Sequence, residues 1–506
     1  MPGVREPAGP ASPGEVRFNR RRQSIGFVLG PVVFLTLWLL PLPTLPPAAH
    51  TLAAILGLMV VLWMTEALPL AITALVGPAL AVVLGVAPVR TAFAPFADPI
   101  IFLFIGSFML AESMFVHGLD RRLAYTALAS RWVGRSGLRL VLAYAGVAAG
   151  LSMWMSNTAT TAMLFPLGLA VLAQLGRERR SDAGFGEFAL ALMLVTSFAA
   201  SIGGLATPVG TPPNLIGIAL LRELGGISIS FVSWMLIGVP IMLAMMAFIV
   251  VWFLLPRARH VRLSEESRRA VAGELQKLGP VTRGERNVLI AFGVTVAGWV
   301  VPGTVAAIFG HAHPLAQRLS AMLPEAVAAI LGAMLLFLLP IDWRARQFTL
   351  TWDQASRIDW GVVMLFGGGL AMGTMADSTG LSEGLGRWVA AEYPGAGTVG
   401  LTMVFTALAI LMSEAASNTA SANIVVPTAI AVSIAAGVSP LEPALGATIG
   451  ASMGFMMPVS TPPNAIVYSS GYIPIGKMAR HGIALDVAGF FVIVVGVLTL
   501  GWIVAA

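Results

Sequence analysis

From about residue 26 to its end, this chain is a succession of apolar runs roughly 17 to 25 residues long. Hydrocarbon offers the backbone no hydrogen bonds, so runs of that length fold as helices that satisfy their own N–H and C=O groups. Barrel strands are shorter and alternate in polarity, and these runs do not alternate. With 57% of its 506 residues apolar and only 11% charged, the chain reads as an all-α polytopic membrane protein. The absence of Cys excludes disulfides and thiolate metal sites. The net charge of +6 is spread over short loops, so it reports topology and implies no nucleic-acid partner.

Basic residues in the connections orient the spans. Arg121, Arg122, Arg131, Arg135 and Arg139 form one cluster, Arg177, Arg179 and Arg180 a second, and the tract from Arg257 to Arg286 a third; Arg344, Arg346, Lys477 and Arg480 mark two further inner loops. With the N-terminus in the cytoplasm, eleven crossings satisfy them, near 26–42, 51–66, 70–88, 99–116, 187–221, 229–255, 288–308, 323–340, 359–377, 441–472 and 482–505. The C-terminus then lies outside. Residues 1–24, rich in Pro, Gly and Arg, read as a flexible cytoplasmic arm. A cleaved signal peptide is the rival, but the following stretch from Ile25 to Pro41 is full length and lacks a clear small-residue cleavage site. Residues 25–255 form a first half, 256–286 a cytoplasmic linker, and 287–506 a second half.

Two apolar stretches, about 138–174 and about 396–433, are long enough for two helices each, yet Arg139 and Arg177 place both ends of the first on one side. They read as re-entrant hairpins. A Ser-Asn-Thr triplet falls near the middle of each, Ser156-Asn157-Thr158 and Ser417-Asn418-Thr419, where short polar side chains suit the end of one half-helix and the cap of the next. Each hairpin is followed by an apolar span interrupted by a double proline, Thr211-Pro212-Pro213-Asn214 within about 187–221 and Thr461-Pro462-Pro463-Asn464 within about 441–472. The triplets sit 261 residues apart and the quartets 250, and Phe104-Ile105-Gly106 to Gly118-Leu119 matches Phe366-Gly367-Gly368 to Gly380-Leu381 at 262. Charge bias around the two hairpins is opposite, which predicts two copies of opposite orientation. An inverted repeat with broken helices is how secondary transporters are built, with substrate and coupling-ion sites near the midplane where the halves meet.

Proline cannot donate a hydrogen bond and clashes with the preceding turn, so carbonyls near Pro212 and Pro462 are freed to point inward. Together with Ser, Thr and Asn oxygens they offer a neutral shell for a hard monovalent cation. Half-helix N-termini opposite offer N–H donors to a carboxylate, and the bound cation favours the anion reciprocally.

These motifs resemble the divalent anion:sodium symporters, which carry dicarboxylates, citrate or sulfate. The resemblance runs from Met64-Thr65-Glu66-Ala67-Leu68-Pro69 through both hairpins to the final quartet. It implies one sodium site at Ser152, Ser156, Asn157 and Gly210 and a second at Ser413, Ala416, Asn418 and Ser460. Substrate carboxylates would meet Ser156, Asn157, Thr158, Thr211 and Pro212 on one side and Ser417, Asn418, Thr419, Thr461 and Pro462 on the other. Ser413 stands where a Thr is usual and Ser460 where an Ala is usual; both keep an oxygen or a backbone carbonyl. The resemblance further implies a homodimer in a cell membrane, that of the bacterial inner membrane, and elevator-type movement of the hairpins and broken helices. No organic cofactor is implied, only sodium as the coupling ion. The expected function is sodium-driven symport of a C4-dicarboxylate such as succinate, malate or fumarate. The alternatives are a sodium-independent di- or tricarboxylate exchanger and a sulfate carrier.

Other features carry blander readings. Glu66 and Glu414 lie at or near membrane depth, where a carboxylate could carry a coupling proton; the structural reading comes first, since each could cap a helix beside its motif. Gly450-Ala451-Ser452-Met453-Gly454 matches a nucleophile elbow and raises an intramembrane serine hydrolase. Gly446, Gly450 and Gly454 at spacing four are better read as close helix packing, and no strand precedes Ser452. The six His fall in or near predicted loops, which argues against a metal or triad role. The stretch from Leu119 to Trp132, arginines among apolar residues, reads as an arm on the inner membrane surface that joins scaffold to moving domain.

Overall fold

The computed structural model describes residues 13–179, 183–263, 265–310, 312–392 and 397–505. Residues 1–12, Arg180 of the second basic cluster and His311 lie outside them. Ten helices are long and apolar enough to cross a membrane, or eleven if the bent pair Pro314–Met322 and Glu325–Leu338, at 53°, is one span. A two-stranded ribbon, Pro340–Asp342 with Gln347–Phe348, is the one sheet among the described residues.

Both halves follow one order of elements. In the first, helix Pro99–His117 ends at Gly118 (φ 69°) and turns into Leu119–Leu128; in the second, Trp360–Ser378 leads through Gly380 (φ 81°) into Leu381–Glu392. That left-handed turn suits glycine, which carries no Cβ to clash. Next comes a pair of antiparallel helices meeting at the Ser-Asn-Thr, Gly137–Ser152 with Asn157–Arg179 and Thr398–Ala415 with Asn418–Ala435. Then comes a helix broken at the Pro-Pro, Ala183–Gly203 with Pro212–Gly225 and Leu441–Gly450 with Pro462–Tyr468. Each half closes on one long helix, Phe231–Phe248 with its continuation to Ala258, and Ile475–Leu500.

The halves interlock reciprocally. Helix Pro99–His117 packs on Glu325–Leu338 of the other half, and its counterpart Trp360–Ser378 packs on Leu70–Val83. A glycine permits each close approach at equivalent positions. A Cβ on Gly106 would lie 2.6 Å from the Ala329 carbonyl carbon, and one on Gly368 would lie 2.2 Å from the Ala74 carbonyl oxygen. The broken helices and hairpins interlock the same way: Pro212–Gly225 packs on Asn418–Ala435 and Leu441–Gly450, while Pro462–Tyr468 packs on Asn157–Arg179 and Ala183–Gly203. These elements form the core of the molecule. Of the span Gly184–Gly203, 83% is buried, against 11% of Asn19–Leu39 at the periphery.

Three expectations change. Residues 13–24, expected in an unstructured arm, belong to the continuous helix Pro13–Leu39. A tertiary ion pair holds them there, Arg22 to Glu66 at 2.9 Å, which composition does not reveal. The linker expected over 256–286 contains the helix Glu265–Lys277, which packs on Leu119–Leu128. One histidine expected in or near a loop, His481, lies inside Ile475–Leu500, buried with its ring 4.8 Å from that of Phe253, whereas His50 and His117 sit at helix ends and bond the Leu37 and Thr349 carbonyls at 2.7 and 2.6 Å.

Candidate functional site

The site is built twice. At the first hairpin tip the leading helix ends at Ser152 and the returning helix starts at Asn157. Ser152 Oγ donates to Asn157 Oδ1 at 2.5 Å, and Ser156 Oγ accepts from the Ala159 N–H at 3.2 Å as an N-cap. The same clamp recurs at the second tip, where Ser413 Oγ lies 2.8 Å from both Asn418 Oδ1 and the Ala451 carbonyl oxygen, which share its one proton. Ser413 is wholly buried, so its hydroxyl is committed to this position.

Each tip faces its own broken helix. Thr211 and Thr461 have nearly identical extended backbones (φ −148°, ψ 143° and φ −146°, ψ 147°), and Pro212 and Pro462 open the second half-helices. Proline fits there because the first helical position needs no N–H. The asparagine of each quartet then holds the break open: Asn214 Nδ2 donates to the Gly204 and Thr207 carbonyls at 2.9 and 2.8 Å, and Asn464 Nδ2 to those of Gly454 and Met457 at 2.9 and 3.1 Å. Those carbonyls are the acceptors that a continuous helix would have used.

Tip and break touch. A Cβ on Gly204 would lie 2.6 Å from Asn157 Oδ1 and 3.0 Å from the Gly210 carbonyl oxygen, so Asn157, Gly204 and the Gly210 carbonyl converge in one place. Thr207 Oγ1 donates to the Met153 carbonyl and fastens the first break to its tip. In the second cleft, a Cβ on Gly454 would lie 3.2 Å from the Ser413 hydroxyl, and Ser460 Oγ donates to Glu414 Oε2 at 2.5 Å. Ala416, with Ser417, forms the turn itself. Four helix N-termini, at Asn157, Pro212, Asn418 and Pro462, belong to elements packed crosswise, and each presents the positive end of its dipole. The triplets, the quartets, Ser152, Gly210, Ser413, Ala416 and Ser460 thus all fall at the two tips and the two breaks. Among the described residues no group of three or more His, Cys, Asp or Glu is placed to hold a metal.

The chain matches the family model described as the sodium:sulfate symporter transmembrane region over residues 22–506. It belongs to that family. It is similar to a transporter of Haemophilus influenzae (32% identical over 487 residues, 95% of this chain and 97% of that one). It is also similar to the sodium-dependent dicarboxylate transporters SdcS of Staphylococcus saprophyticus (32%, covering 93% and 90%) and of Staphylococcus aureus strain USA300 (30%, covering 93% and 90%). In fold it resembles the YdaH transporter of Alcanivorax borkumensis, whose crystal structure is described as having an unusual topology. The TM-score is 0.51 at 16% identity, covering 87% of this chain and 90% of that one. The protein is therefore a multi-pass membrane transporter of the sodium:sulfate symporter family and not an enzyme. The hydrolase reading of Ser452 falls with it, and the glycines of that motif have a packing reason. A Cβ on Gly446 would lie 2.3 Å from Thr406 Oγ1, and one on Gly450 would lie 3.0 Å from the Thr406 carbonyl.

The two acidic residues read as cap candidates take structural places, each with a partner that the residue pattern does not show. Glu66 is the left-handed C-cap of Pro47–Thr65 (φ 48°) and binds Arg22. Glu414 clamps the second break: Oε1 accepts from the Phe455 and Met456 N–H groups at 2.5 and 2.8 Å and Oε2 accepts from Ser460. The first half has Met153 at the equivalent place and uses its carbonyl, bound by Thr207. Asp486, buried in the last long helix, goes unnoticed in the motif reading; a lone carboxylate in the middle of an apolar span was the available signal.

Proposed function

We propose that this chain is a secondary active transporter that carries a small dicarboxylate, of the C4 class, together with sodium. The observation that carries the reading is the duplicated clamp in which a serine hydroxyl fixes the Asn157 or Asn418 amide oxygen beside a proline-broken backbone. Amide, hydroxyl and carbonyl oxygens at fixed positions replace the water shell of an alkali cation, and they leave no charge of their own to compete with it. Sodium as cargo would sit with Ser152, Ser156, Asn157 and Gly210 in one cleft and with Ser413, Ala416, Asn418 and Ser460 in the other. The carboxylates of the dianion would then meet the N-terminal turns: Ser156, Asn157, Thr158, Thr211 and Pro212 for one, Ser417, Asn418, Thr419, Thr461 and Pro462 for the other.

The names of the staphylococcal relatives support both sodium and a dicarboxylate. Movement of the hairpins and broken helices as one body against the remaining helices, in each protomer of a homodimer with the N-terminus inside and the C-terminus outside, completes the reading. The deciding experiment is uptake of labelled succinate into proteoliposomes with an inward sodium gradient, with citrate and sulfate as competitors. Sodium-driven uptake blocked by unlabelled malate or fumarate is expected. Equal uptake with potassium in place of sodium would identify a sodium-independent exchanger, and competition by sulfate alone would identify a sulfate carrier.

A further inference from the structure

Two helices that the repeat makes equivalent, Pro99–His117 and Trp360–Ser378, are both 19 residues long, and each is N-capped by an aspartate. Asp98 and Asp359 stand 261 residues apart, the spacing of the Ser-Asn-Thr triplets. Asp98 Oδ1 accepts from the Ile100 N–H at 2.8 Å and Asp359 Oδ1 from the Val362 N–H at 3.2 Å. The cap engages one carboxyl oxygen and leaves the other for a second partner. In the first half that partner is present: Arg222 Nη2 donates to Asp98 Oδ2 at 2.5 Å, and the Asp98 side chain is only 8% exposed. In the second half Asp359 is exposed, and among the described residues its carboxylate has the cap bond alone.

The partner has an equivalent too. Arg222 follows Thr211 of the first break by eleven residues, and Tyr472 follows Thr461 of the second by eleven. Tyr472 lies just past the end of Pro462–Tyr468, its ring edge-on to Phe185 at 6.2 Å, and it is not bonded to Asp359. The packing is unequal in the same sense. Pro212–Gly225 of the first half packs on Trp360–Ser378, where a Cβ on Gly373 would lie 3.0 Å from Leu220 Cδ2. The mirror contact, Pro462–Tyr468 against Pro99–His117, is not packed in this way. Two copies of one plan, set in opposite orientations, therefore hold two different arrangements in one molecule. In an inverted repeat the opposite-facing state is reached when the copies exchange those arrangements.

We propose that Asp98–Arg222 and Asp359–Tyr472 are two latches that close in turn, the first in the arrangement seen here and the second in the opposite-facing one. Neither pair belongs to the two clefts, so the latches set which way the site opens and leave what it binds unchanged. A guanidinium brings a full positive charge to the carboxylate and a phenol does not, so the first latch is the stronger and the protein rests with it closed. The inference rests on the proposed movement of hairpins and broken helices against the remaining helices, and it names the residues that set the balance of that movement.

The test places Asp359→Cys with Tyr472→Cys in the full chain, which has no Cys of its own, reconstituted in proteoliposomes without substrate. The rate at which a short bis-methanethiosulfonate bridges the pair is read from the linked peptides by mass spectrometry. It is measured with the first latch intact, with Asp98→Asn, with Arg222→Gln and with Arg222→Lys. Bridging is expected to be several-fold faster with Asp98→Asn or Arg222→Gln, and to stay near the starting rate with Arg222→Lys, which keeps the charge. A Leu37→Cys with His50→Cys pair, within the outer body, should bridge at one rate in all four backgrounds. Asparagine still caps a helix, so Asp98→Asn carries the comparison if Arg222→Gln does not fold. Bridging of 359 to 472 at one rate in all four backgrounds, or in none of them, would overturn the latches, and with sodium-driven succinate uptake by the natural chain it would leave the transport reading standing. Faster bridging in the two charge-loss variants without any such uptake would keep the latches and overturn that reading.

Discussion

At the scale of single residues, the two clamps make distinct demands on side chain and backbone. Asn157 and Asn418 each lend an amide oxygen already oriented by a serine, so Asn157→Ala or Asn418→Ala should each cut sodium-driven uptake by at least about tenfold, the worth of roughly 1.4 kcal/mol. Gly204→Ala should do as much without replacing a ligand, because its Cβ would press on Asn157 Oδ1 and on the Gly210 carbonyl, and backbone yields less readily than a side chain. Initial rates in proteoliposomes over a sodium series check all three; parental rates in the asparagine variants would remove the clamp from the mechanism. Ser460 separates the two kinds of contribution. If its backbone carbonyl faces sodium while its hydroxyl only braces Glu414, Ser460→Ala should leave the sodium dependence of uptake within about threefold and lower stability by roughly 1 kcal/mol, the usual worth of one hydrogen bond. A large rise in the sodium concentration needed would assign the hydroxyl itself to the ion.

At the scale of elements, the arm helix Leu119–Leu128 is tied down at one residue and strained at another. Arg122 pairs with Glu285 at 2.7 Å and donates to the Leu278, Gly279 and Pro280 carbonyls at 3.2, 2.9 and 3.2 Å, which fastens the arm to the linker. Two residues earlier Asp120 is fully buried. Burial pushes its pKa up to about 6 from the ordinary 3.8, and the Arg121 N–H and guanidinium only partly offset this. A carboxyl whose pKa is higher folded than unfolded stabilises the fold while protonated, fully below about pH 4, and that stability is lost as pH rises through about 6, at a cost of about 3 kcal/mol. Asp120→Asn should therefore raise the melting temperature at pH 7.5 and change it little at pH 4.5; equal effects at both would show that ionisation of Asp120 is not the cause. A helix at Leu119–Leu128 was legible in sequence as arginines among apolar residues, and the breaks were legible as double prolines, because both follow from local chemistry. The helix over residues 13–24 and the burial of His481 were not. Each depends on a partner distant in sequence: Arg22 on Glu66, His481 on Phe253. Repeat spacing gave the equivalence of Gly106 and Gly368, but only the fold shows that each meets the other half's helix.

At the scale of the whole molecule, packing is reciprocal between the two sequence halves, since helices Pro99–His117 and Trp360–Ser378 lock onto Glu325–Leu338 and Leu70–Val83, while hairpins and broken helices lock onto one another. On the proposed movement of hairpins and broken helices against the remaining helices, contacts crossing the surface between those two bodies break in each cycle. One polar contact that crosses it is Arg222 to Asp98 at 2.5 Å, from the end of the first broken helix to the N-cap of Pro99–His117. The chain has no Cys, so a reporter pair can be introduced without a background of native thiols. Asp98→Cys with Arg222→Cys, bridged by a short bis-methanethiosulfonate, should bring succinate uptake to background and recover on reduction. Leu37→Cys with His50→Cys, between two helices of the same outer body whose ring-to-carbonyl contact is 2.7 Å, should bridge without loss. Undiminished uptake by the fully bridged 98–222 pair would mean that these two elements travel together, and the boundary between moving and fixed bodies would then have to be redrawn to place Pro99–His117 with the hairpins.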